Sequence, residues 1–176
     1  MAMRTRPVPE RAHAVFFDTV TLSNFALSQS LDLLIRRYGL RAQITPEVLD
    51  EVLDGIVAGY AELREVEDAV NAGKLGSAGV LSTEERDTYR GLLRVLSPGE
   101  ASCVSCARIP GGMVATDDMA ARECCASLGV GFTGTIGILK ASVVDGLASP
   151  QEADDILQAM IDAGYFSPVS RISSLL

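Results

Sequence analysis

Two short apolar runs end in aspartates, and these aspartates are the first candidates for chemistry. One run, residues 113–116, leads into Asp117 and Asp118, and another, residues 14–17, leads into Asp18. Ligands of an open parallel sheet bind outside the carboxyl ends of its strands. If both runs are parallel strands of one sheet, Asp18 and Asp117 lie at the same ligand-binding edge. An aspartate before a helix also acts as an N-cap, and for either aspartate alone this structural interpretation is the simpler one.

Two further acids lie in predicted helices. A helix over residues 46–58 places Asp50 and Glu51 on opposite borders of its apolar stripe, and the periodicity does not choose between them. Glu100 stands three residues after Ser97, which is the spacing of a capping box. On sequence alone, helix capping is therefore favoured over catalysis for Glu100.

Carboxylates gathered without a matching cluster of lysines or arginines repel one another, and a divalent cation removes this penalty. Oxygen-only ligands select hard ions, which predicts Mg²⁺ or Mn²⁺ as the cofactor. Such an ion favours metal-assisted hydrolysis of a phosphodiester. Other phosphate-transfer and hydrolytic sites are not indicated, because the sequence has no nucleophile elbow, no phosphate-binding glycine-rich loop that ends in lysine, and a single histidine.

The four cysteines present a second candidate metal site. Cys103 and Cys106 have the C-x-x-C spacing of zinc and redox motifs, whereas Cys124 and Cys125 are adjacent, which is poor geometry for a tetrahedral ion. Both pairs lie among alanines in predicted helices. We therefore expect small buried side chains at all of these positions rather than ligands.

Strands alternate with helices along the chain. Residues 1–12 are expected to form a loose leader and residues 13–176 a single domain, for which this length suffices. The pattern predicts an α/β fold, a three-layer α/β/α sandwich around a central, mainly parallel sheet. Strands are predicted near residues 13–17, 42–44, 113–116 and 130–133, with helices between them and a glycine-containing loop over residues 73–80.

The formal net charge is −8 and the pI is near 4.6, so no global basic field attracts nucleic acid or anionic membrane. A carboxylate metal site accounts for part of this charge, and contacts to phosphate would be local, for example through Arg122. No apolar run approaches the roughly 20 residues that cross a bilayer, and no signal peptide is recognisable. We expect a cytoplasmic protein that does not bind membranes.

Five short motifs follow one another from Phe17 to Gly137. They are Phe17-Asp18-Thr19 with Leu22 and Asn24, Pro46-x-Val48-x-x-Glu51-Val52, Pro98-Gly99-Glu100-Ala101, Thr116-Asp117-Asp118 with Ala121-Arg122, and Phe132-Thr133-Gly134-Thr135-Ile136-Gly137. Each is weak alone, but together they resemble the PIN-domain family of metal-dependent ribonucleases. The resemblance is greatest to the VapC-like toxin branch, in a subgroup of prokaryotic proteins.

The resemblance implies a PIN-like fold with catalytic acids at the carboxyl edge of the sheet. The matched acids are Asp18, Glu51, Glu100 and the pair Asp117 and Asp118. Within the pair, Asp118 has the family's Thr-x-Asp spacing, and which of the two is the direct ligand stays open. The implied ligands of Mg²⁺ or Mn²⁺ are Asp18, Glu100, Asp117 and Asp118, while Glu51 is implied to orient the attacking water.

Supporting roles beside these acids are implied for Thr116, Thr19 and Asn24. The chain also departs from the family in two places. Val20 stands where members often carry a small hydroxyl residue, and the segment over residues 59–95 is longer than in compact toxins of the family. Neither departure removes an acid, so a competent metal site is expected.

The implied function is an endoribonuclease that cuts single-stranded RNA and leaves 5′-phosphate and 3′-hydroxyl ends. The resemblance also implies the toxin of a type II toxin-antitoxin pair, a small antitoxin protein as partner, and a homodimer. The alternative is a non-catalytic PIN-fold module that binds RNA or protein. The acidic pI favours this alternative, whereas the retention of every matched acid favours the enzyme.

Overall fold

The computed structural model describes residues 13–176, so the predicted leader, residues 1–12, lies outside the described residues. The strands are β1 (Val15–Phe17), β2 (Ala42–Ile44), β3 (Gly76–Ser77), β4 (Met113–Ala115) and β5 (Gly131–Thr133). The helices are α1 (Thr19–Leu27), α2 (Leu31–Tyr38), α3 (Pro46–Val57), α4 (Arg64–Asn71), α5 (Thr83–Leu92), α6 (Pro98–Cys106), α7 (Met119–Ser127), α8 (Thr135–Val144) and α9 (Pro150–Asp162).

The five strands form one sheet in the order β3-β2-β1-β4-β5, and every neighbouring pair is parallel. In the centre, Phe16 of β1 pairs with Gln43 of β2, and Phe17 pairs with Ala115 of β4. All residues of β1 are buried, as expected for a parallel strand covered on both faces. Helices flank this sheet, so the predicted α/β fold is confirmed, and the sheet is parallel throughout.

Helices pack directly on the central strands. Helix α6 lies against β1 and β4, and α2 lies against β2. At the junction of sheet and helix, the rings of Phe17 and Tyr38 meet edge to face with centroids 5.3 Å apart. Helix α9 packs on α1 and α8, which brings the chain's last long helix back to the helix that follows β1.

Capping residues determine where several helices begin. Three helices start with a complete capping box, in which a serine hydroxyl and a glutamate carboxylate each accept a backbone N–H; the pairs are Ser82 with Glu85, Ser97 with Glu100, and Ser149 with Glu152. Helix α3 begins instead with Thr45 as N-cap and Pro46 in the first turn. The predicted capping box of Glu100 is therefore present.

The prediction of a loop over residues 73–80 is wrong at its centre, where β3 (Gly76–Ser77) forms the edge of the sheet. A strand of two residues carries no periodicity from which it could be recognised. Gly76 also suits this place physically, because a Cβ there would lie 2.8 Å from the carbonyl oxygen of Leu40 and closer still to the side chain of Gln43.

The predicted burial of the cysteines is confirmed at three of the four positions and is wrong at Cys124. None of them forms a disulfide; Cys103, Cys106 and Cys125 are buried, and Cys124 is partly exposed. Cys103 lies under the end of β1, where its thiol donates to the carbonyl oxygen of Phe17 at 3.3 Å. Burial raises the pKa of this thiol well above its usual value, so it stays protonated.

Candidate functional site

The carboxyl ends of β1 and β4 lie side by side, and this places the first and last predicted acids at one edge. The ladder from Phe17 and Ala115 continues into a bond from the backbone N–H of Asp18 to the carbonyl oxygen of Ala115, at 3.0 Å. On the other side of β4, Thr116 donates to Thr133 at 2.8 Å. The predicted meeting of Asp18 with the Thr116–Asp118 segment is confirmed by this pairing.

Asp18 is the most deeply buried of these acids, with 1% of its surface exposed. Its Oδ1 accepts the backbone N–H of Thr21 at 2.7 Å, so it does cap α1. Its Oδ2 is buried and accepts no hydrogen bond from the described residues. Burial raises the pKa of Asp18 to about 6, and the nearby charge of Asp117 acts in the same direction. The polar groups of Thr116 and Thr21 beside the carboxylate lower this pKa, but by less than burial raises it.

Glu51 is the border residue of α3 that faces the site, and Asp50 is exposed to solvent. The Glu51 carboxylate accepts a short hydrogen bond from the Thr19 hydroxyl, and its Oε1 accepts the backbone N–H of Gly99 at 2.8 Å. A Cβ at Gly99 would overlap this carboxylate. The choice between Asp50 and Glu51 that periodicity leaves open is thus made by contacts with α1 and α6.

Glu100 has a structural partner and also faces a cavity. Its Oε2 accepts the backbone N–H of Ser97 at 3.0 Å, and its own N–H donates to the Ser97 hydroxyl at 3.3 Å. The side chain lines a cavity of about 330 Å³ together with Asp117 and Asp118. We call this space the acid cavity; Val20 and Asn24 also line it.

Asp117 uses both carboxylate oxygens in hydrogen bonds. Oδ1 accepts the backbone N–H of Thr135 at 3.0 Å and pairs with Arg122 Nη2 at 3.1 Å. Oδ2 accepts the Thr135 hydroxyl and, at 3.4 Å, the side-chain amide of Asn24. Asp117 therefore ties the end of β4 to the start of α8 and to α1. Asn24 supports this arrangement through a second bond to the Thr135 hydroxyl at 3.1 Å.

The carboxylate of Asp118 accepts fewer hydrogen bonds than that of Asp117. Its Oδ1 accepts the backbone N–H of Ala121 at 2.8 Å as the N-cap of α7, and its own N–H donates to the hydroxyl of buried Thr116 at 3.1 Å. Its side chain is partly exposed and opens onto the acid cavity. The contacts therefore distinguish the two aspartates. The carboxylate of Asp117 accepts four hydrogen bonds, whereas the carboxylate of Asp118 opens onto the acid cavity.

The donor set suits a hard cation, although the acids are spread along the edge. Within residues 13–176, no three His, Cys, Asp or Glu side chains are grouped closely enough to hold a metal ion. The observation that fits an ion is Asp18 Oδ2, a buried carboxylate oxygen without a hydrogen-bond partner. A cation there would supply the missing partner and stabilise the charged form that burial disfavours.

Three residues of the site have no role in the sequence-based prediction. Thr135, named from the sequence only as part of the fifth motif, donates hydrogen bonds to both oxygens of Asp117. Tyr165 and Phe166 follow α9 and line the acid cavity. Burial and the charge of Asp117 raise the pKa of Tyr165 to about 12, so its phenol stays neutral. Their position depends on how α9 packs back onto α1, and no local pattern reveals it.

The class of this protein is defined by a parallel sheet in an α/β fold, with carboxylates at the carboxyl ends of the neighbouring strands β1 and β4. The model of the DUF3368 family, which is described as a PIN domain, matches residues 14–176. The chain therefore belongs to the PIN-domain family, whose members are generally nucleases that use divalent metal ions. The chain matches no curated protein and no solved structure. No helix within residues 13–176 has the length and apolar character to cross a membrane.

Proposed function

We propose that the chain is a metal-dependent endoribonuclease that hydrolyses phosphodiester bonds in single-stranded RNA. The observation that carries this proposal is Asp18 at the end of the central strand, whose buried Oδ2 accepts no hydrogen bond from residues 13–176. A carboxylate in this position is costly to the metal-free protein. Its presence is readily understood if the charge of a bound cation offsets that cost.

The residues that would hold Mg²⁺ or Mn²⁺ are Asp18, Glu100 and Asp118, one or two of them directly and the others through water, since no three such side chains converge within residues 13–176. Asp117 contributes in our proposal by orienting the segment that carries Asp118, because its own oxygens are engaged by Thr135, Arg122 and Asn24. When bound, the ion supplies positive charge beside the scissile phosphate and the leaving 3′ oxygen.

Glu51 has the position of a general base in this proposal. Thr19 and Gly99 hold its carboxylate at the border of α3, where it can orient a water molecule and accept its proton. The water oxygen then forms the new bond to phosphorus as the bond to the 3′ oxygen breaks. The products carry a 5′-phosphate and a 3′-hydroxyl.

The biological context remains part of the proposal. We infer a toxin of a type II toxin-antitoxin pair, kept inactive by a small antitoxin protein, and a homodimer in the cytoplasm. A second candidate is a non-catalytic RNA- or protein-binding module. It is favoured by the capping bonds of Asp18, Glu100 and Asp118, which give each acid a structural role.

The decisive experiment measures metal binding and RNA cleavage in the same samples. Mn²⁺ and Mg²⁺ are titrated by calorimetry into the wild type, Asp18→Asn and Asp50→Asn, the last being a matched control because Asp50 is exposed on α3. Each sample is then incubated with a mixed panel of single-stranded RNAs, with EDTA as a further control. We expect saturable binding and metal-dependent cleavage that are lost only in Asp18→Asn. Absent binding, or cleavage that survives in Asp18→Asn, overturns the nuclease proposal in favour of the binding module.

A further inference from the structure

The segment that follows α9 carries an unusually exposed aromatic side chain beside the acid cavity. The backbone turns at Gly164, where φ is +106°, and the N–H of Tyr165 donates to the carbonyl oxygen of Met160 at 2.9 Å. Phe166 comes next in the chain, and 96% of its surface is exposed. A phenylalanine held in solvent by a capped helix end loses the free energy that burial would provide.

Phe166 also lines a second cavity, of about 380 Å³, which Asp117 lines as well. We call this space the aromatic pocket. Phe132, the middle residue of β5, contributes a ring that is 42% exposed. The guanidinium of Arg122 lies over this ring, 5.9 Å from its centroid, and is held there by its ion pair with Asp117.

Two glycines, Gly134 and Gly137, also line the aromatic pocket. A Cβ at Gly134 would overlap Arg122 and Asp117, and a Cβ at Gly137 would lie 2.6 Å from the Thr133 hydroxyl. Glycine at position 134 therefore leaves room for the Arg122–Asp117 pair to lie along the wall of the pocket.

A planar group that inserts here would meet aromatic faces and a guanidinium. Stacking of nucleobases on aromatic side chains is the main source of affinity in many single-strand-binding proteins, and arginine adds a cation–π contribution. The pocket volume falls within the usual range of ligand sites, about 300–1,000 Å³. Asp117, Tyr165 and Phe166 line both the aromatic pocket and the acid cavity, so the two spaces are adjacent.

We propose that the aromatic pocket binds one unstacked nucleobase of single-stranded RNA, in a nucleotide next to the phosphate that reaches the acid cavity. Phe166 provides the stacking surface, and Phe132 with Arg122 forms the opposite wall. The inference rests on the proposed function for the identity of the ligand. It adds a reason for strand selectivity, because a paired and stacked base cannot enter the pocket.

The test uses the absence of tryptophan from the sequence. Phe166→Trp introduces a single tryptophan, excited apart from the four tyrosines, beside the aromatic pocket, and Val57→Trp introduces one at a side chain that is 88% exposed on α3 and lines neither space. Both full-length variants are titrated in EDTA with a mixed-sequence single-stranded RNA and with the same sequence as a duplex. We expect saturable quenching of Phe166→Trp by the single strand only, and no specific quenching of Val57→Trp.

A second measurement gives the size of the effect. Phe166→Ala should weaken binding of a labelled single-stranded RNA by about 5- to 150-fold in fluorescence anisotropy, the loss typical of one stacked base. Quenching that is absent, or equal in both tryptophan variants, overturns the proposal. If Phe166→Ala leaves RNA affinity unchanged and alters the sedimentation coefficient instead, the surface is a protein contact.

The two proposals fail in different ways. Because the fluorescence measurement needs no metal and no cleavage, specific quenching without Asp18-dependent cleavage would retain the nucleobase site and reject the nuclease. Asp18-dependent cleavage without quenching would retain the nuclease and reject the nucleobase site.

Discussion

The backbone N–H of Gly99 donates to the carboxylate of Glu51 at 2.8 Å, and a side chain at position 99 would overlap that carboxylate. The first turn of α6 thus holds an acid of α3 in place. Because this contact fixes the orientation of the carboxylate, it suits the role of base that we propose for Glu51.

Gly99→Ala should slow RNA cleavage with little effect on stability. The overlap involves only the movable end of Glu51, so we expect the free energy of unfolding to change by less than about 1 kcal/mol. Glu51→Gln should slow single-turnover cleavage by about 100-fold or more, and Gly99→Ala by a smaller factor. Gly91→Ala is the matched control, because Gly91 is also helical and has no atom within 4 Å of an added Cβ. Equal rates in the two alanine variants would contradict the positioning role.

Asp18→Asn should stabilise the metal-free protein at neutral pH. The pKa of Asp18 is about 6 in the folded protein and 3.8 in its ordinary state, so between these values the folded state binds more protons. The unfolding free energy therefore falls as the pH rises through this window. The change from 3.8 to about 6 corresponds to about 3 kcal/mol at most. Asparagine stays neutral and remains a good N-cap.

Urea unfolding in EDTA at a series of pH values measures this difference. The advantage of Asp18→Asn should disappear below about pH 4. Mn²⁺ at about 100 times its dissociation constant should then stabilise the wild type by about 2.7 kcal/mol at neutral pH and leave the variant unchanged. A wild type that gains stability relative to Asp18→Asn between pH 4 and 6, without metal, would be inconsistent with the buried unpaired carboxylate.

Asp117→Asn and Asp118→Asn should affect different properties. Both oxygens of Asp117 accept hydrogen bonds, from Thr135, Arg122 and Asn24. In asparagine an NH₂ group replaces one of these oxygens and faces other donors, so Asp117→Asn should lower the free energy of unfolding by about 1–3 kcal/mol. Asparagine at position 118 preserves the N-cap of α7, so stability should change by less than about 0.5 kcal/mol. Calorimetric titration with Mn²⁺ should show the larger loss of affinity in Asp118→Asn. The reverse order of the two affinities would assign direct ligation to Asp117.

Glu100→Ala and Glu152→Ala separate capping from function. Both glutamates complete a capping box with a serine three residues earlier, at 3.0 Å and 2.7 Å respectively. Both substitutions should lower the melting temperature slightly, because each removes one acceptor at a helix start. Only Glu100→Ala should also reduce Mn²⁺ affinity and cleavage. If the two variants retain equal activity, Glu100 is a cap alone.

Local rules were sufficient for four of the five strands described within residues 13–176, all but β3, and for the edge of the sheet where the site lies. Phe17 and Ala115 end apolar runs, and the parallel pairing of these runs places Asp18 beside the Thr116–Asp118 segment. The capping box at Glu100 was also predictable, because its residues are neighbours in sequence. Local patterns do not predict which of these side chains contact one another.

Contacts between segments that are distant in sequence determine the features of the site that local patterns do not predict. The contact of Gly99 with Glu51, which distinguishes Glu51 from Asp50, joins residues 48 positions apart. The bonds that engage Asp117 come from Thr135 and Asn24, the latter 93 positions away. Neither periodicity nor capping rules describe such pairs, and β3 is too short to show any period at all.

The central place of β1 has a consequence for synthesis of the chain. Its neighbour β4 is translated about a hundred residues after β1. Until β4 and the start of α8 have left the ribosome, Asp18 has no companion at the sheet edge and Asp117 is not held by Thr135. A nascent chain thus carries dispersed acids instead of an assembled centre. The strand order therefore delays a complete site until the ribosome has passed the start of α8.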